Sequence, residues 1–242
     1  MPQHGISNQQ GEEELVSYLD FCIDLETLNT NRLHPCIIQC GVVASLTNTR
    51  LVQHEPSQLE LVQTLDTKIV LVEQFFPRYP MYLLETDTHN WWKHEDRHWL
   101  LDWIRGQVDS ADLSRRAFLT SLAASMIGTV KQAQKVADGL GSKLVTKVWA
   151  NSPTFDLTML EAEYKSINIP TPWSYKEEMD IRTIRSLLVC PSHHREILAE
   201  QLATHKPELD AGYLVPHNAV YDAYAELLDV LWVRATLWEA GL

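Results

Sequence analysis

Residues 18–26, YLDFCIDLE, alternate without a break. Leu19, Phe21, Ile23 and Leu25 fall on one side and Asp20, Cys22, Asp24 and Glu26 on the other, the period-2 signature of a β-strand. CIIQCGVVAS, residues 36–45, predicts a neighbouring strand after the turn-rich LNTNRLHP, and a third short strand is expected within residues 51–71. Three strands without an intervening helix imply an antiparallel meander. WWKHEDRHWLLDWI and LSRRAFLTSLAASMIGTVKQAQKVADGLG then predict helices across about residues 85–140, the second stopped by glycine. KLVTKVWAN, residues 143–151, returns to strand. A helix is expected to begin near Ser152 and Pro153, because proline suits a first helical position and Phe155, Leu157, Met159 and Leu160 follow. IPTPW reads as loop, MDIRTIRSLL as a short strand or helix start, and residues 192–203 as helix. Tyr224, Leu227, Leu228, Leu231, Trp232 and Ala235 recur at helical spacing and predict a long amphipathic helix packed on the sheet. The expected class is α/β, a mixed sheet flanked by helices. One domain over residues 15–242 is expected behind a polar leader at 1–14, with a helical insertion after the third strand.

Composition narrows the class. The 242 residues are 45% hydrophobic, enough for a sizeable core. The longest weakly polar run, Phe118 to Val130, is interrupted by Thr and Ser and falls short of the roughly 18 apolar residues of a membrane span. The first residues carry acids and amides where a secretory signal has a basic start and an apolar stretch, so a cytoplasmic protein is expected. Cys22, Cys36, Cys40 and Cys190 are too few and scattered for a disulfide framework. Cys36 and Cys40 share a strand face as small apolar fillers, with no second pair to complete a zinc site. The net charge of −12 opposes a polyanion partner. However, residues 113–150 hold six cations (Arg115, Arg116, Lys131, Lys135, Lys143, Lys147) against Asp138, which makes that segment +5 and the remainder −17. A solvated helix or a local basic surface both fit this segment.

Three short patterns point elsewhere. His94-Glu95-Asp96-Arg97-His98 matches HExxH, but Asp and Arg occupy positions that pack inside a zinc-protease helix. Ser114 to Leu119, SRRAFL, imitates a twin-arginine signal too far from the N-terminus to act as one. His193 and His194, adjacent on an expected helix, point about 100° apart and do not share an ion easily.

Asp24 and Glu26 are two apart on the first strand, so both carboxylates leave one face with Cα atoms about 6.6 Å apart. Side-by-side acids repel unless a cation lies between them, and hard divalent ions suit such pairs. An edge strand with a solvated polar face would also tolerate them. Asp20 lies on the same face but roughly 13 Å along, too far to join. Asn151 to Asp156, NSPTFD, stands where a strand yields to a helix, a place where α/β proteins build sites, although Asp156 alone could simply complement a helix dipole. In HNAVYD, Asn218 as N-cap would put Asp222 in the first turn and leave His217 on the preceding loop.

The set Asp24-x-Glu26, N-x3-F-D ending at Asp156, and His217-x4-Asp222 resembles the three motifs of the DEDDh 3′–5′ exonucleases, whose fold is ribonuclease H-like. Trp91-Trp92 in the insertion and Asp180-x-Arg182-Thr183 resemble the subgroup of phage exonuclease A and related bacterial exoribonucleases. The resemblance implies a five-stranded mixed sheet, three strands antiparallel and then parallel ones. It implies two Mg²⁺ or Mn²⁺ ions held by Asp24, Glu26, Asp156 and Asp222, with His217 as general base. Four carboxylates and two divalent ions balance in charge, which reconciles an acidic chain with a nucleic-acid substrate and leaves the +5 segment to guide a few upstream nucleotides. The resemblance also places Thr27 and Leu28 at the terminal nucleotide. Arg182 is expected at phosphate or beside Asp180, with Asn151 near the substrate. Phe155 and Trp173 could each offer a stacking face or lie in the core. The expected partner is a single-stranded 3′ end, DNA slightly ahead of RNA, and no membrane. An exoribonuclease of the same chemistry and a non-catalytic binding module are the alternatives.

Overall fold

The computed structural model describes residues 15–48, 70–75, 85–95, 97–110, 114–187 and 215–239. Five strands form one sheet in the order β3-β2-β1-β4-β5. Strand β1 (Val16–Thr27) pairs antiparallel with β2 (Ile37–Asn48), which pairs antiparallel with β3 (Val70–Phe75). On its other side β1 runs parallel to β4 (Lys143–Ala150), and β4 parallel to β5 (Glu178–Asp180). This is the mixed α/β sheet that the alternation and the order of elements imply. The alternating segment of β1 is therefore central, and the edge-strand reading of its polar face is corrected: Asp20 and Glu26 are buried.

The apolar face of β1 meets two helices, α3 (Arg115–Leu140) and α4 (Asp156–Ser166). Leu19, Phe21, Ile23 and Leu25 pack there with Phe118, Leu119, Leu122, Met126, Leu160 and Tyr164. Ser114 caps α3 by accepting from the Ala117 N–H at 3.2 Å, and Gly141, at φ 65°, ends it in the left-handed conformation that glycine adopts without strain. The opposite face is covered by α6 (Ala219–Glu239), whose Tyr221, Tyr224, Leu227, Leu228 and Leu231 pack on Cys22, Val43 and Trp149. A helix buried this deeply is apolar around most of its circumference, so its few acids stand out.

The insertion begins with α1 (Thr86–Trp92) and α2 (His98–Ser110). Trp92, Leu100, Leu101 and Ile104 form a third cluster with Leu28, Cys36 and Ile38, and Trp92 Nε1 donates to the Thr27 carbonyl at 2.9 Å. The insertion is thus fastened at the carboxyl end of β1. His94 lies in the turn before α2 and His98 begins that helix, so the HExxH spacing does not fall on one helix face. The third strand overlaps its expected window only at residues 70–71 and runs on to Phe75, MDIRTIRSLL contains both β5 and a short helix α5 (Ile181–Leu187), and α4 starts at Asp156 because Pro153 to Phe155 form a turn. Cys22, Cys36 and Cys40 are buried free thiols. Among the described residues no helix is long and apolar enough to cross a membrane. The expected leader at 1–14, the helix at 192–203, His193, His194 and Cys190 lie outside the described residues.

Candidate active site

The site lies at the carboxyl ends of the parallel strands β1 and β4, where the sheet opens between helix starts. Gly41 on β2, paired in register with Asp24, lets α6 come down onto the sheet: a Cβ there would lie 2.1 Å from the Ala219 carbonyl oxygen. Gln39 Oε1 accepts from the Ala219 N–H at 3.0 Å, and Asn218 Oδ1 accepts from the Val220 N–H at 3.0 Å, so two of the orphan donors of the helix start are satisfied. Asp222 follows within the first turn. Just upstream, His217 sits at φ 67°, a conformation that costs a non-glycine residue about 1 kcal/mol or more. Its backbone N–H donates to Asp222 Oδ2 at 2.8 Å, and its ring meets the Trp91 indole edge-on at 4.9 Å between centroids. Glu26, His217 and Asp222 bring one ligand atom each within 4.8 Å of one another.

Asp156, first residue of α4, completes the set from the β4 side, with its N–H donating to the Ser152 carbonyl at 3.0 Å. A cleft of about 480 Å³ is lined by all five side chains expected to do chemistry, Asp24, Glu26, Asp156, His217 and Asp222. Burial drives the Asp24 and Glu26 carboxyls well above the usual carboxylate range, and repulsion from neighbouring acids, Glu26 and Asp222 foremost for Asp24, pushes the same way. Burial also lifts Asp156 to about 7, against hydrogen bonds from backbone groups and the attraction of Arg182. Close carboxylates, Glu26 and Asp156 buried and Asp24 and Asp222 half-buried, form an oxygen-rich donor set with one imidazole at its edge. That chemistry fits hard divalent cations.

A family model described as a 3′-5′ exoribonuclease Rv2179c-like domain matches residues 20–232, from the middle of β1 to near the end of α6. The chain belongs to this family. It is therefore a 3′–5′ exonuclease, a hydrolase of phosphodiester bonds. Comparison with curated proteins yields no match. Among solved structures, exonuclease I is similar in fold, with a TM-score of 0.51 at 13% identity over 93% of the chain; the chain spans 43% of that protein's length. The nuclease domain of 3′hExo, described as a DEDDh family member bound to rAMP, aligns at 18% identity over 94% of the chain and 93% of its own, with a TM-score of 0.44.

Other residues of this exonuclease are distributed less evenly. Asn151, Arg182 and Phe155 line the cleft. Asp180 caps α5, accepting from the Arg182 N–H at 2.9 Å and from Thr183 Oγ1 at 3.0 Å, so the Arg182 side chain is exposed rather than tied to Asp180. Thr27 and Leu28 are buried beside the insertion and do not line the cleft, and Trp173 packs in the core against Tyr164. None of the six cations of residues 113–150 lines it either; Arg115 pairs with Glu163, and Arg116 donates to the Ile167 carbonyl at 3.0 Å. The cleft's cations are Arg182 and Arg185, the latter bound to Asp229 Oδ2 through Nε at 2.6 Å and to Asn151 Oδ1 at 2.8 Å.

Three cleft residues escaped the sequence reading of the site. Trp91 enters the sequence reading as part of an amphipathic insertion helix and as a mark of resemblance, not as a residue lining the cleft. Glu226 was legible in principle: Asp222, Glu226 and Asp229 recur at i, i+4 and i+7, one face of an otherwise apolar helix. Arg185 had no local signal.

Proposed function

We propose that this exonuclease removes nucleoside 5′-monophosphates from single-stranded RNA 3′ ends, with His217 as general base and Asp24, Glu26, Asp156 and Asp222 as the cation-holding carboxylates. The observation that carries the reading is the convergence of these five side chains, from three separate stretches of chain, on one cleft. When bound, two Mg²⁺ or Mn²⁺ ions would supply Lewis acidity at the scissile phosphate and neutralise charge building on the leaving 3′-oxygen. His217 takes the proton of the attacking water; its loop position, held through the backbone by Asp222, leaves the imidazole free to do so. Exposed Arg182 meets the incoming phosphate, and Arg185 holds Asn151 toward the terminal nucleotide. Phe155 offers a stacking surface at the cleft wall.

RNA is preferred over DNA in this reading because the matching family is described as exoribonucleases, and this outweighs the lean toward DNA drawn from the likeness to phage exonuclease A. Action in the cytoplasm accords with the buried free thiols. End-labelled RNA and DNA of one sequence, digested with Mg²⁺, test the proposal. The expected result is stepwise shortening from the 3′ end with 5′-monophosphate products, faster on RNA. Internal cuts or 3′-monophosphate products would overturn the mechanism, and faster DNA digestion would overturn the substrate.

A further inference from the structure

Glu226 lies four residues after Asp222 on α6, and its side chain reaches the same cleft. It is 4% exposed, and its Oε2 has no hydrogen-bond partner. A bare carboxylate oxygen in a protein interior is costly, and buried acids are normally paired. Here the neighbouring charges are mostly of the wrong sign: Asp156, Asp222 and Asp229 repel it, while Arg185, the cation nearby, directs its hydrogen bonds to Asp229 and Asn151. Nothing in the described polypeptide satisfies this oxygen, and its residue lines the cleft together with Asp24 and Asp222.

We propose that Glu226 is a fifth cation-directed carboxylate, its Oε2 accepting a hydrogen bond from a water in the hydration shell of a divalent ion held by Asp24 and Asp222. The inference rests on the cation reading above. Glu226 is buried one helical turn beyond Asp222, which is half-buried, and this depth assigns it to the outer shell rather than to direct coordination. Outer-shell partners of this kind orient what they contact and change metal affinity by about 10- to 100-fold. A merely structural Glu226 would instead serve as countercharge to Arg185. The two roles predict opposite signs in the cation-free protein: removing the charge relieves repulsion in the first case and strands a cation in the second.

The test is Mn²⁺ binding by calorimetry, with thermal melts in EDTA and in Mn²⁺, on the full chain, Glu226→Gln and Asp24→Asn. The full chain is expected to bind two Mn²⁺ and Asp24→Asn fewer. Glu226→Gln is expected to keep two sites, bind one Mn²⁺ at least about 10-fold more weakly, and melt higher than the parent in EDTA. Affinity within about threefold of the parent, a difference of under 1 kcal/mol, overturns the inference and leaves the cation reading standing. A lower melting temperature in EDTA also overturns it, whatever the affinity. No Mn²⁺ binding by the parent overturns both.

Discussion

Asp20 and Asp24 are four residues apart on the same face of β1, and both look toward α6, yet the protein treats them in opposite ways. Asp20 is wholly buried and fully answered. Arg234 reaches it through Nε at 2.7 Å and Nη2 at 2.6 Å, Trp149 Nε1 donates at 2.7 Å, and the guanidinium lies over the Tyr18 ring at 3.9 Å. Asp24 is surrounded by Glu26, Asp222, Glu226 and Asp156, all of which raise its carboxyl further above the ordinary range after burial has done so. The first arrangement is that of an acid holding a fold together, because a bidentate, hydrogen-bonded pair offsets its own desolvation. The second is that of acids held together by the fold, whose repulsion is left for something outside the polypeptide to relieve. The contrast separates a carboxylate that holds the fold from the one proposed to hold a cation on the same strand.

The largest expected effect breaks the second arrangement. Asp24→Asn is expected to lower single-turnover digestion of end-labelled RNA by about 10³-fold or more, several kcal/mol of barrier. Its melting temperature in EDTA is expected to equal or exceed the parent's, since a repulsive charge has gone. His217→Ala should cost about 10²- to 10⁴-fold, the usual range for a general base, with the EDTA melt little changed.

Asp20→Asn reverses the pattern. Removing one partner leaves Arg234 partly buried without its countercharge, and the expected cost is about 3–5 kcal/mol of unfolding free energy in urea. Activity per folded molecule should stay near the parent's. A stable but inactive Asp20→Asn would show that the two ends of the polar face are one functional unit.

The same comparison fixes a pH dependence. Burial raises the Asp156 carboxyl from its ordinary value to about 7, with Asp24 and Glu26 displaced in the same direction. A carboxyl raised by folding favours the folded state while protonated, so that stability is fully present below the unfolded carboxylate range and is lost as pH climbs through the folded value. In EDTA the melting temperature should therefore fall as pH rises from about 4 to about 7, by an amount worth a few kcal/mol at roughly 1.4 kcal/mol per unit. Saturating Mg²⁺ should flatten the slope, and Asp156→Asn should reduce it. A slope unchanged by both would place its origin elsewhere in the chain.

How much of this was legible beforehand depended on how local each signal was. The alternation of 18–26 announced β1, and the Asn218 cap announced the start of α6 with Asp222 in its first turn, because period and capping are decided within a few residues. The burial of the polar face of β1 was not legible, since it requires β4 to return in parallel more than a hundred residues later. Thr27 and Leu28, which the resemblance puts at the terminal nucleotide, follow a shift in register with β2 between Glu26 and Thr27, and Leu28 packs beside Trp92 and Cys36. Arg185 joins Asn151 to Asp229 across three elements, a network that no single segment encodes.

The smallest expected effect concerns the ring beside His217, the proposed general base. Arg234 holds Asp20 by charge and hydrogen bonds; Trp91 holds His217 by an edge-on ring contact alone, which steadies the imidazole without claiming either nitrogen. Trp91 is itself braced, with the Arg97 guanidinium 3.9 Å above its ring and Arg97 Nε donating to its carbonyl at 2.8 Å, yet it stays 40% exposed. Its neighbour Trp92 is buried in the insertion's core and bonded to Thr27, so the pair divides into one anchor and one side chain facing the cleft. An aromatic pair contributes about 0.5–1.5 kcal/mol, so Trp91→Ala is expected to slow the chemical step by roughly 2- to 12-fold with little change in melting temperature. Trp91→Phe should restore most of the rate by keeping a ring against His217. Trp92→Ala, in contrast, should cost about 3–5 kcal/mol of stability as a core truncation. If Trp91→Ala matched His217→Ala in activity, or if phenylalanine failed to rescue it, the indole would be contacting the substrate rather than positioning the base.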